Sequence, residues 1–171
     1  MESHVELLMN EPKRIWWARP RKLCALERPG GGGRNHRTER RTAEIEYLRA
    51  HGVRTVISVM KTRHNLSAYD SAGLSWHHVP VSRTEEGAGA LEELLSLLRR
   101  ETRASGAVAI HGNRYTDFVA AVCVAHLHEL RGVEPALALT RAAASGLTVT
   151  AAACALLGVR PRDVEGVSDA A

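Results

Sequence analysis

Aromatic residues are scarce: Phe, Trp and Tyr together make up 4% of the 171 residues, and Phe118 is the only phenylalanine. So few flat rings leave little for bases to stack on, and a nucleic-acid partner is not expected. Cysteine is equally sparse. Cys24, Cys123 and Cys154 share no CxxC or CxxxC spacing, which argues against a disulfide framework and against a zinc site. Cys123 and Cys154 sit in stretches of Ala, Val and Leu, where a cysteine reads as a small buried apolar residue. No apolar run approaches the ~18 to 20 residues a membrane span needs. Met1 to Glu11 lack the regions of a signal peptide, so a cytoplasmic chain without a membrane partner is the expectation.

Hydrophobic residues account for 44% and charged residues for 25%, ordinary values for a globular domain. The length fits one domain with a single sizeable core. The formal charge of +4 suggests an anionic partner, and the cations are nearly all arginine, 20 against 3 lysines. Residues 1–14 read as a flexible arm, 15–158 as the folded domain and 159–171 as a disordered tail. The domain begins at Ile15-Trp16-Trp17, with a first strand at Lys22 to Leu26. The run Gly30 to Gly33 then forms a turn: either a plain flexible loop or, without the Lys and Ser/Thr of a P-loop, a weak phosphate cradle.

Helical spacing marks Thr38 to Ala50, a short segment around Leu66 to Ala72, and Ala90 to Arg103, where Leu91, Leu94, Leu95 and Leu98 fall on one face. Thr55 to Val59 and Gly106 to Ile110 are apolar on both faces, as central strands of a parallel sheet are, and Leu74 to Val81 reads as another strand. Three further helices follow, at Phe118 to Leu130, from Pro135 to before Gly146, and at Thr148 to Leu157. The fold class is α/β, with a mostly parallel sheet flanked by helices and a helical C-terminal third. Ligands of such sheets bind beyond the carboxyl ends of the strands. Here the last strand runs straight into the polar loop His111-Gly112-Asn113-Arg114-Tyr115-Thr116-Asp117 and a helix N-terminus.

The order of elements, with Gly52 to Ile57, His77-His78-Val79-Pro80-Val81, Val108-Ala109-Ile110-His111 and the helix carrying Ala138-Leu139-Thr140-Arg141, resembles the cysteine-dependent tyrosine and dual-specificity phosphatases over about Ile15 to Leu157. That resemblance implies a His-Cys-x5-Arg loop whose thiolate attacks phosphorus, with an aspartate from an earlier loop as acid. Here His111 matches the histidine, but Gly112 stands at the nucleophile, Phe118 at the arginine and Tyr115 at a mid-loop glycine. The acid falls near Ser82 or Arg83. An ordinary cysteine phosphatase is thereby excluded, and no cofactor is implied.

His111, Asp117 and Tyr115 remain as candidates for acid–base chemistry. Arg114, Asn113, Gly112, Thr116, Phe118 and Arg83 are the candidates for holding a small-molecule or phosphorylated ligand. His111 reads either as a structural histidine or as a base, and Asp117 either as a helix N-cap or as an acid. Glu85 and Glu86 follow the strand where the family carries its acid. No spacing favours a metal site. His126 and His128 read as surface or groove residues. Three functions stay open: an enzyme repurposed to acid–base or electrostatic catalysis, a non-catalytic pseudophosphatase that binds, and a phosphatase with another nucleophile.

Overall fold

A computed structural model describes residues 11–167. Five strands, β1 (Ile15–Arg19), β2 (Leu23–Leu26), β3 (Val53–Ser58), β4 (Ser75–His78) and β5 (Ala107–His111), form one sheet in the order β1-β2-β5-β3-β4. β1 runs antiparallel to β2, and every other pairing is parallel. Among the described residues the α-helices are α1 (Thr38–Ala50), α2 (Leu66–Ser71), α3 (Ala88–Glu101), α4 (Asp117–Arg131), α5 (Pro135–Ala143) and α6 (Ala151–Leu156).

Alternation along the strands divides the core, with β3 shifting register between Val53 and Thr55. Leu23, Ala25, Ile57, Val108 and Ile110 pack with α3, α4, α5 and α6, whereas Cys24, Leu26, Val53, Val56, Ala107 and Ala109 pack with α1 and α2. Both faces are covered, so β3 is buried from Thr55 to Ser58 and β5 throughout, and the two strands lie side by side in the interior of the sheet. α4 follows β5 directly and is buried over most of its length. It ends at Gly132, whose φ of +65° is left-handed and lets its N–H close on the His128 carbonyl.

Three expectations need correction. Ile15 to Arg19 is an edge strand, recognisable only through its pairing with β2. The tail is folded as far as the structure describes it: Val164 is buried in the larger core, and Val167 bridges Val149. Residues 1–10 of the expected arm lie outside the described residues, and its remaining part is held, since Pro12 is buried and Glu11 accepts a hydrogen bond from Tyr47. Likewise residues 168–171 of the expected disordered tail lie outside the described residues.

The run Gly30 to Gly33 is a packed element. The buried Arg28 guanidinium donates from Nε to the Gly31 carbonyl (2.9 Å) and from Nη2 to the Gly33 carbonyl (2.9 Å), and its third nitrogen meets His64 Nδ1. A Cβ on Gly32 would lie 2.4 Å from the Asn113 carbonyl oxygen, so this glycine permits a close approach of two backbones.

A chain stopped after Gly158 loses the buried Val164, a contact worth about 1.5 to 3 kcal/mol. At about 2 to 4 °C per kcal/mol for a domain of this size, its melting temperature falls by about 3 to 12 °C in a calorimetric scan. A tail without packing would leave it unchanged.

Candidate functional site

β3 and β5 are neighbours, so the segments leaving their carboxyl ends converge. Together with the segment after β4 they enclose a cavity of about 450 Å³. Its apolar side is Val59, Met60, Val81 and Phe118, and Lys61, Arg83 and Arg114 bring positive charge. Ser82, Thr84, Glu85, Gly112, Asn113 and Thr116 complete the lining. The N–H groups of residues 112–116 donate to no acceptor among the described residues, and they lead into the N-terminus of α4, a place where free amides and the helix dipole favour an anion.

The candidate residues divide cleanly. Gly112, Asn113, Arg114, Thr116, Phe118 and Arg83 all line the cavity, whereas His111, Tyr115 and Asp117 do not. Each of these three is buried and fully engaged elsewhere. His111 is sealed in the core. Its Nδ1 lies 2.8 Å from the Gly112 carbonyl oxygen, which only accepts, so Nδ1 carries the proton and Nε2 accepts from the Tyr69 hydroxyl at 2.7 Å. Burial lowers the His111 pKa to about 4, with the Arg28 and His78 charges adding to the effect. The ring is therefore neutral near pH 7.

Tyr115 reaches the Ser145 hydroxyl at 2.8 Å, and since Ser145 donates to the Ala142 carbonyl, the phenol is the donor. Burial raises its pKa to about 12. Asp117 is neither an N-cap nor a cavity residue. Thr116 occupies the cap position, and Asp117 begins the helix. Asp117 Oδ1 accepts from the Thr84 hydroxyl at 2.9 Å, and Oδ2 accepts from both the N–H (2.7 Å) and the hydroxyl (2.6 Å) of Thr150.

Phe118 packs under the turn that follows β4, so close that a Cβ on Gly87 would meet its ring at 2.2 Å. Gly112 is different. A Cβ there meets nothing nearer than the Arg114 carbonyl oxygen at 3.4 Å, and a side chain would fit. Asn113 Oδ1 accepts from the Gly33 N–H at 3.1 Å, so the glycine run forms a wall behind the loop.

His77 pairs with Glu101, and His78 donates to the Met60 carbonyl. Among the described residues no three His, Cys, Asp or Glu side chains converge as metal ligands. The cysteines are buried, and burial raises their pKa values, which keeps them as thiols. Of the two glutamates noted after β4, Glu85 lines the cavity. Lys61 was not foreseen, although its place three residues beyond β3 in a parallel sheet was a signal for it.

No family model matches the sequence, and no curated protein matches it. Solved structures do. Tk-PTP in its active form superposes with a TM-score of 0.67 at 20% identity, over 85% of this chain and 94% of that one. Human DUSP28 gives 0.64 at 22% identity, over 86% and 92%. PTPMT1 in complex with PI(5)P gives 0.62 at 16% identity, over 84% and 92%.

A neutral buried His111 makes stability depend on pH. Its folded pKa lies below the unfolded value of 6.5, so its contribution is complete above pH 6.5 and is lost as pH falls towards 4. Between pH 7 and 4.5 this one residue removes about 2 to 3 kcal/mol, and in urea melts the His111→Gln variant shows a correspondingly flatter profile. Asp117→Asn is expected to cost about 1.5 to 3 kcal/mol in the same melts by weakening a charge-assisted bond. With its strands in this order and its loop at the head of α4, the chain carries the fold of the dual-specificity phosphatases.

Proposed function

We propose that this protein is a phosphatase-fold binding module that recognises a small phosphorylated or otherwise anionic ligand without turning it over by cysteine chemistry. The observation that carries the reading is the division of the loop. The loop residues suited to acid–base work, His111, Tyr115 and Asp117, are each buried in a structural hydrogen bond, and the cavity brings Lys61, Arg83, Arg114 and free backbone amides together with one carboxylate, Glu85. The cations and amides hold an anion. None of them is a thiolate.

The resemblance supports the same conclusion, since Gly112, Phe118 and Ser82 or Arg83 stand where a cysteine phosphatase keeps its nucleophile, its arginine and its acid. Phe118 turns the place of a guanidinium into an apolar wall, which suits a ligand that carries an apolar group beside its charge. The acid–base enzyme reading would require His111 or Asp117 to leave its partners and enter the cavity. A phosphatase using His111 as nucleophile would need the same movement.

Isothermal titration of the full chain with inorganic phosphate and with an aryl phosphate tests this. Saturable binding is expected, weaker at high salt. Arg114→Ala removes one charge-assisted contact of about 1.5 to 3 kcal/mol and so weakens binding by about 10- to 150-fold. No phosphate is released from the aryl ester. Catalytic release that disappears in His111→Gln or Asp117→Asn would replace the binding reading with the enzymatic one.

A further inference from the structure

A second cavity, about 270 Å³, lies at the opposite edge of the sheet. β1 is antiparallel to β2, so Arg19 at its end sits beside Leu23, at the amino ends of the parallel strands, where Lys22 also holds the turn carbonyls of Ala104 and Gly106. Around it stand Arg99, Thr102 and Arg103 at the end of α3, and His126 and Glu129 on α4. None of these residues takes part in the main site.

His126 is 2% exposed and lines this cavity, so of its two expected places it takes the groove and not the surface. Its Nε2 lies 3.1 Å from an Arg19 terminal nitrogen. A guanidinium only donates, so Nε2 accepts, and the neutral ring carries its proton on Nδ1. Among the described residues that buried Nδ1 has no partner, and neither has the buried Nε of Arg19. Buried N–H donors without acceptors are uncommon in folded proteins, and two in one cluster call for an acceptor from outside it.

The charge balance points the same way. Three arginines line the cavity against a single glutamate, and Glu129 is already paired with Arg99, which also holds Glu92. Arg131 adds further positive charge, felt by both Arg19 and His126. Arg103 is exposed and has no ion-pair partner among the described residues.

We propose that this cavity is a second binding site, which takes a small oxyanion, phosphate or carboxylate, whose oxygens accept from Arg19 and Arg103. His126 holds the Arg19 guanidinium through Nε2, and its Nδ1–H is left to donate to the same anion. The apolar stems of Arg99 and Leu130 border the cavity, and a planar or tetrahedral anion of a few heavy atoms fits its volume.

The test uses the full chain carrying Arg114→Ala, so that binding at the main site is weakened and its fate does not decide the result. Sodium phosphate and citrate are titrated separately, followed by calorimetry and by backbone amide shifts. Saturation by either anion is expected, with shifts confined to the ends of β1, α3 and α4, and the anion that saturates identifies the oxyanion type.

Arg103→Ala, at an exposed position where folding is not in question, should weaken binding at least fivefold, and Arg19→Gln at least tenfold. His126→Phe should weaken it with Arg103 still contributing, while His126→Gln, which keeps an acceptor for Arg19, should restore most of the affinity. Absence of saturation with both anions overturns the proposal. So does an affinity unchanged by Arg103→Ala, or a His126→Gln variant no better than His126→Phe.

Discussion

The carboxylate of Asp117 holds the main cavity together. It is buried at the first residue of α4, yet it accepts three hydrogen bonds, from Thr84 in the segment after β4 and from the N–H and hydroxyl of Thr150 at the head of α6. A buried carboxylate is tolerated only when its oxygens are satisfied, and the amino end of a helix favours its charge. Three segments distant in the chain are thereby fixed around one point. The positions of Arg83 and Thr84 relative to Arg114 and Thr116 follow from it.

The neighbouring polar groups obey the same constraint. Tyr69 and Gly112 occupy both nitrogens of His111, and Ser145 occupies the phenol of Tyr115. Behind the loop, Arg28 binds two glycine carbonyls and brings the glycine run against Asn113. The result is a rigid loop whose remaining free groups are amides and cations. Under the proposed function such a surface suits an anion, with His111, Tyr115 and Asp117 spent on holding its shape.

Much of the architecture was legible in the chain itself. Val56 and Ile57 in one strand and Ala107 to Ile110 in another are apolar at successive positions, as a strand covered on both faces is. The spacing of Leu94, Leu95 and Leu98 marked α3, and Pro135 marked the start of α5. β1 was not legible as a strand, because its half-buried side chains show no alternation and nothing but its local pairing with β2 marks it. Nor was the packing of Val164, which depends on where the chain returns after α6.

At the site, sequence alone determined which chemistry is present: a loop after the last strand with no cysteine in it, one arginine, a histidine, a tyrosine and an aspartate, at a helix N-terminus in an α/β fold. It could not say which of these side chains face the cavity. From 112 to 118 the loop is neither strand nor helix, so no fixed period assigns its faces. The tertiary structure decided that by supplying partners: Tyr69, Ser145, Thr84 and Thr150 draw His111, Tyr115 and Asp117 inward, because a buried polar group without a partner costs more than the loop can recover.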